Sequence, residues 1–275
     1  MTISAESWAK YIADLKKVND HAYYKMYAFL ELNKDPDGLW DSQETRQKII
    51  DYAFGLSSKY GDAAAELACE MFDLMGVLSD LILPAAEPAP TATYDEVGKT
   101  INGVMKQSSN LEMIASSVSR LVKLAGVDTI QQNALKTGAE WAWIPVGDTC
   151  PFCLMLASNG WQKASKKAIR NGHAEHVHAN CDCTYAVRFD GKTEVEGYND
   201  GEKYRNMYYD GEGIDDDIWD EAQNEFGKQS DVFLNAMRRQ NYKRNKEKIN
   251  EQKRSAYAKR KELESSKAEE INVGI

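Results

Sequence analysis

Asp148-Thr149-Cys150-Pro151-Phe152-Cys153 is followed, further along the chain, by His178-Ala179-Asn180-Cys181-Asp182-Cys183. Two cysteines three positions apart form a turn whose backbone amides point at the sulfurs. Both thiolates can then bind one ion, and a second pair from a distant segment completes a tetrahedron. His178 and Cys181 repeat that spacing, and Cys183 follows with strand-like alternation. Zinc suits soft thiolates plus one imidazole and keeps them ionised. Paired knuckles at such a separation seldom arise by chance. The alternative, buried thiols with a redox Cys-x-x-Cys, needs a βαβ context around the motif, and none is visible. Five residues, with His173 and His176 besides, compete for four positions. The preferred set is Cys150, Cys153, His178 and Cys181, with Cys183 as a substitute ligand or a neighbouring thiol. Four protein ligands leave no open position for water, which makes the site structural.

The segments beside the motif read as β. Trp141-Ala-Trp143-Ile-Pro145-Val146 has the look of a strand or extended stretch. Thr184-Tyr-Ala-Val-Arg-Phe189, then Asp190-Gly191, then Lys192-Thr-Glu-Val195 carries a hairpin signal, because Asp-Gly supplies the positive φ of a tight turn. Upstream the period is helical. Trp8, Ile12, Leu15, Ala22, Met26 and Phe29 keep a three- or four-residue spacing that Pro36-Asp37-Gly38 stops. Asp41 with Glu44 predicts a cap opening a second helix through Ile49, Ala53 and Leu56. After Gly61, the run Leu67, Met71, Leu74, Leu78, Leu81 predicts a third. Thr93 with Glu96 opens the next, and helices are expected over 94–107, 111–125 and 128–137, with Gly138 as a C-cap. Pro84, Pro88 and Pro90 cannot continue a helix and favour an extended linker. The expected fold class is therefore α+β, mostly α-helical with a small zinc-stapled β-hairpin element. Its expected divisions are a helical region 1–83, a Pro-rich linker 84–93, a motif-bearing domain 94–195, and an acidic then basic, helix-prone tail 196–275. No internal repeat is visible.

The 275 residues suffice for one large or two ordinary domains, and 43% hydrophobic with 28% charged residues is the balance of a soluble globular chain. No apolar run approaches the roughly 18–20 residues that span a bilayer. Met1-Thr-Ile-Ser-Ala-Glu6 lacks the basic start and apolar stretch of a signal peptide, so a reducing cytoplasm is the expected compartment. There, paired cysteines are metal ligands more often than disulfides. Cys69 sits alone on an apolar helical stretch and reads as core. Trp8, Trp40, Trp141, Trp143, Trp161 and Trp219 read mostly as core or interface residues.

The net charge of −9 is unevenly spread: residues 210–221 hold seven acids and no base, whereas residues 238–261 hold eleven Lys or Arg against Glu247 and Glu251. A basic tail opposed in sign to its own body either folds back on acidic stretches such as 210–221 or reserves its charge for a polyanion. For the second case Arg238, Arg239, Lys243, Arg244, Lys253 and Arg254 are the candidate nucleic-acid contacts, interleaved with Tyr242 and Tyr257 and without a groove-reading signature.

The whole segment from Trp141 to Cys183 resembles the phage Mu F-type minor head protein domain. That family shows an acidic residue, Cys-Pro-x-Cys, a short run to Gly, and a closing His-Pro-Asn-Cys-Arg-Cys. Asp148, Cys150, Pro151, Cys153, Gly160, His178, Asn180, Cys181 and Cys183 match in place, whereas Ala179 stands for the usual Pro and Asp182 for the usual Arg. The helical stretch through Val118–Lys123 and Thr129–Ala134 also fits such domains. The resemblance covers roughly residues 95–190 and leaves out the helical front and the charged tail. It implies a low-copy, non-enzymatic structural component of a phage head, a minor capsid protein of head morphogenesis. The implied partners are the portal and other head proteins, with packaged DNA reached through the basic tail and no membrane. The implied location is the virion, and the host cytoplasm during assembly.

Three other readings are weaker. His173-Ala-Glu175 near Cys-Pro-x-Cys is reminiscent of the zinc deaminases, but there His-x-Glu precedes Pro-Cys-x-x-Cys, and here the order is reversed. A zinc-stapled nuclease of the His-Asn-His type would use His176 or His173 to activate water; otherwise these are exposed loop residues or hydrogen-bond partners of His178. Gly98-Lys99-Thr100 lacks the glycine and the strand that a phosphate loop needs.

Overall fold

Ser4 and Ser42 decide where the first two helices start. Each holds an extended backbone and accepts an amide three residues on, Ser7 N–H at 3.1 Å and Thr45 N–H at 3.2 Å. The computed structural model describes residues 2–35, 40, 42–107, 110–146, 149–165, 183–196, 198 and 201–273. It divides into two compact units, Met1–Arg205 and Asn206–Ile275. In the first, α1 (Ala5–Leu32), α2 (Gln43–Leu78) and α4 (Leu111–Thr137) pack on one another, with α3 (Tyr94–Gln107) against α2 and α4.

Two expected breaks are absent. The helix expected to restart after Gly61 is continuous through it, and the helices expected over 111–125 and 128–137 are one. The cap expected at Asp41 falls to Ser42, Asp41 itself lying outside the described residues, as does Pro36-Asp37-Gly38. The glycines are there for packing. A Cβ on Gly61 would lie 2.7 Å from Thr91 Cγ2, and one on Gly126 would lie 3.2 Å from Ala64 O. Small residues let α2 and α4 approach closely, and α4 is buried on most of its circumference. Gly138 does end α4, in the left-handed conformation with φ 70°.

The proline-rich stretch, expected as a linker, is extended but lies inside the first unit and is fastened to it. Prolines leave it few amides, and three of those are taken by side chains. Ala86 N–H donates to Asp73 at 2.9 Å, Glu87 N–H to Asn133 at 3.0 Å, and Ala89 N–H to the buried Thr129 hydroxyl at 2.9 Å.

β2 (Glu140–Ile144) is the middle of an antiparallel sheet between β3 (Gln162–Lys163) and β4 (Thr184–Arg188). Trp141 stacks on Tyr185 at 4.9 Å between ring centroids, and Trp143 meets the same ring edge-on at 4.7 Å. The hairpin expected around Asp190-Gly191 does not form among the described residues. β5 (Glu194–Val195) pairs in parallel with β1 (Thr2–Ile3) instead of with β4. Asp190 uses its carboxylate to accept the Lys192 and Thr193 amides at 2.9 and 2.7 Å. Desolvation pushes that carboxyl up, but these bonds outweigh it and hold it at about 2. The local turn signal was real; the partner strand was set by distant packing, with Ile3 and Val195 both buried in the main core. The fold is thus mostly helical with a few short strands, and among the described residues two small sheets stand where a hairpin was expected.

In the second unit, α7 (Asp216–Glu225) packs on α8 (Gln229–Val273), and α6 (Gly201–Asp210) spans the division between units. Ile214, Ile218, Trp219 and Ala222 are buried, as are Val232, Phe233, Ala236 and Met237. Five tryptophans, Trp8, Trp40, Trp141, Trp143 and Trp219, are buried as expected. Cys69 is only half-buried, not core.

Candidate metal centre

The β2–β4 ladder brings the two halves of the cysteine motif together. Its last rung pairs Ile144 with Thr184, so Cys183 falls beside the chain leaving β2 toward Cys150. There Cys183 Sγ accepts the Val146 N–H at 3.3 Å. Cys150 is the N-cap of α5 (Pro151–Ala157), with Pro151 in the first turn where its missing N–H is harmless. Cys150 Sγ accepts the Cys153 N–H at 3.4 Å, the knuckle geometry read from the spacing. Cys153 and Cys183 are 2% and 0% exposed within one hydrophobic cluster, and Cys150 packs half-buried against it.

His178 and Cys181 lie outside the described residues, as do Asp148, His173, His176, Asn180 and Asp182. Among the described residues, no three His, Cys, Asp or Glu side chains gather into a group able to hold a metal. Cys150, Cys153 and Cys183 therefore do not make such a site by themselves. What the described part supplies is thiols in a dry, aromatic-walled setting, two of them already met by backbone amides. Amide donors aimed at sulfur are an arrangement that a metal-bound thiolate also accepts.

The six basic candidates divide. Arg239 contacts Glu221 at 3.4 Å and also bonds Glu225; Lys243 reaches Asp215 at 2.7 Å and Asp217 at 3.7 Å; and Arg244 donates to the Gly213 carbonyl at 3.2 Å. The bond from Lys243 lowers the Asp215 pKa, and the same bond raises that of Lys243. This start of the basic segment thus folds back on the acidic stretch 210–221. Arg238 and Arg254 are exposed, and Lys253 belongs to α8 by its backbone.

Several groups had no signal in the sequence. Arg188 bonds Glu140 at 2.7 Å across the sheet and lies 4.5 Å from the centre of the Trp161 ring, tying β2, β4 and the residue before β3 together. Lys123 is 7% exposed on α4, and its Nζ has no hydrogen-bond partner among the described residues. Asp128 lines a cleft of about 550 Å³ beside Thr93, Glu96 and Lys99. Burial, then the charge of Glu96, pushes its carboxyl up to about 6. Lys123 and Asp128 sit in a helical period, and Arg188 in a strand alternation, that do not distinguish them from neighbouring positions; only what surrounds them in space sets them apart.

No helix among the described residues is long and apolar enough to cross a membrane. No curated protein and no solved structure matches the chain significantly. A family model described as VG15 protein matches residues 2–211, taking in the helical front as well as the cysteine motif. The chain therefore belongs to the VG15 family and is a phage protein.

Proposed function

We propose that this phage protein is a structural component of the head, a minor head protein that joins the portal or the inner shell during assembly and remains in the virion. In this reading zinc staples its motif-bearing end, held by Cys150, Cys153, His178 and Cys181, with Cys183 beside them. The ion would supply a cross-link between the α5 turn and the chain entering β4. The observation that carries the zinc reading is the pair of amide–sulfur bonds, Cys153 N–H to Cys150 Sγ at 3.4 Å and Val146 N–H to Cys183 Sγ at 3.3 Å. Family membership across residues 2–211 supports the head role, together with the resemblance of the motif to minor head domains. Four protein ligands would leave the ion no catalytic position, so the reading is non-enzymatic.

The test is quantitative mass spectrometry of purified virions and proheads, beside a phage carrying His178→Ala. The chain should be found at low copy in both particles, and His178→Ala should block productive heads whereas His173→Ala and His176→Ala should not. Absence from both particles, or a divalent-metal-dependent nicking activity abolished by His176→Ala, would defeat the structural reading in favour of a zinc-stapled nuclease.

A further inference from the structure

Leu121, Leu124, Ala125 and Asp128 fall on one face of α4, at helical spacings of three and four. Glu96, Lys99 and Thr100 fall likewise on one face of α3. These two faces and the end of the proline-rich strap, residues 90–93, line the cleft of about 550 Å³, a volume in the range of ligand sites. One wall is apolar, from Leu121, Leu124 and Ala125 with Pro90, and the Asp128 carboxylate is set into it. Asp128 is half-buried and has no hydrogen-bond or ion-pair partner among the described residues.

The other charged groups lining the cleft are already engaged. Glu96 Oε2 accepts the Thr93 N–H and the Thr93 hydroxyl, both at 2.8 Å, and the Glu96 N–H donates back to Thr93 Oγ1 at 3.3 Å. This reciprocal cap fixes the Glu96 carboxylate at the start of α3. Lys99 turns outward to Asp95 at 2.6 Å, with its side chain 75% exposed. Burial, then the charge of Glu96, holds the Asp128 carboxyl at about 6, so ionising it at neutral pH costs free energy that a bound cation would return.

The lining selects among ligands. An anion would face two carboxylates, and a neutral molecule would leave the Asp128 charge unanswered. A calcium ion asks for about six to eight oxygen ligands, and Asp128 brings the one carboxylate of the cleft that is not otherwise bonded. A cation with a hydrocarbon stem uses both the charge and the apolar wall.

We propose that the cleft between α3, α4 and the strap binds a primary alkylammonium group, its head on the Asp128 carboxylate and its stem along Pro90, Leu121 and Leu124. A lysine side chain presented by a partner protein and a free aliphatic amine share that chemistry.

The test is titration of the full chain with butylammonium chloride at about pH 7.5, followed by NMR of the backbone amides and aspartate carboxyls. Shifts are expected in residues 90–100 and 121–128, with a dissociation constant on the order of 1 mM for so small a ligand. Because the ionised carboxylate is the binding form, affinity should fall about tenfold between about pH 7.5 and pH 5. Asp128→Asn keeps the shape and removes the charge, so it should bind at least tenfold more weakly while remaining folded. Nα-acetyl-lysine methylamide separates the two sources. Binding at least as tight as that of butylammonium assigns the cleft to a lysine on a chain, and binding of butylammonium alone assigns it to a free amine. The proposal is overturned if neither amine shifts these residues at about 50 mM. It is overturned equally if 1-butanol or magnesium chloride gives the same shifts, or if Asp128→Asn binds as the wild type does.

Discussion

Thr129→Val should release the proline-rich strap from α4. Thr129 is fully buried, and its hydroxyl accepts the Ala89 N–H at 2.9 Å while donating to the Ala125 carbonyl at 2.7 Å. Valine has the same shape but puts a methyl group where that amide needs an acceptor. Ala89 is 7% exposed, so water cannot easily replace the lost bond. A buried amide left unpaired costs about 1–3 kcal/mol, less what is regained by burying an extra methyl. A net loss of about 1.5 kcal/mol follows, a fall in melting temperature of about 3–6 °C for a unit of this size. Thr129→Ser retains both hydrogen bonds and loses only a methyl, so overall stability alone does not separate the two variants. Hydrogen exchange does. The amides of Ala86, Glu87 and Ala89 should exchange about tenfold faster in the valine variant, as 1.4 kcal/mol of local opening requires, and near the wild-type rate in the serine variant. Equal protection in valine and wild type would refute the reasoning and return the segment to a loose connection.

Asp128→Asn tests the buried carboxyl above the cleft. Its folded pKa of about 6 lies above the unfolded value, so the folded chain favours the protonated form. That contribution is fully present below about pH 4 and lost as pH rises through about 6, so the variant should gain roughly 2 kcal/mol at pH 7.5 and nothing at pH 4 in urea titrations. A gain that does not depend on pH would rule the carboxyl out as its source. Lys123→Met should raise stability by roughly 1–3 kcal/mol, since it replaces a buried amine that has no hydrogen-bond partner among the described residues with an apolar chain of similar volume; a destabilised variant would mean the amine has a partner. Gly211→Ala should loosen the second unit by roughly 2–4 kcal/mol, because Gly211 has φ 71° and a Cβ there would lie 2.4 Å from the Trp219 indole. Trp219 fluorescence should report the change, and an unaltered spectrum and melt would contradict it.

What was legible in the sequence were features that act locally. The apolar period of α1, the strand at Trp141–Ile144, the cap at Thr93 and the left-handed stop at Gly138 follow from neighbours within one or two turns. What was not legible depends on segments far apart. Gly61 and Gly126 look like punctuation until Thr91 and Ala64 are found against them. Asp190-Gly191 makes a turn, yet the turn does not dictate that Val195 pairs with Ile3. The basic segment offered two fates, and Arg239, Lys243 and Arg244 chose the acidic stretch because α7 and α8 share an apolar seam that aligns them. In the candidate centre, the spacing of Cys150 and Cys153 was informative because a helix N-terminus fixes it, whereas the place of Cys183 is set by the β2–β4 register.

The most direct test of the zinc-stapled reading is the metal content of the purified chain, never exposed to chelator, set beside its Cys150→Ser variant. About one zinc per chain is expected, as four protein ligands hold a single ion. The variant should lose that zinc together with the protection of residues 140–146 and 184–188 against hydrogen exchange. Well under half an equivalent of zinc in the wild type, or a variant that keeps both metal and protection, would contradict the account.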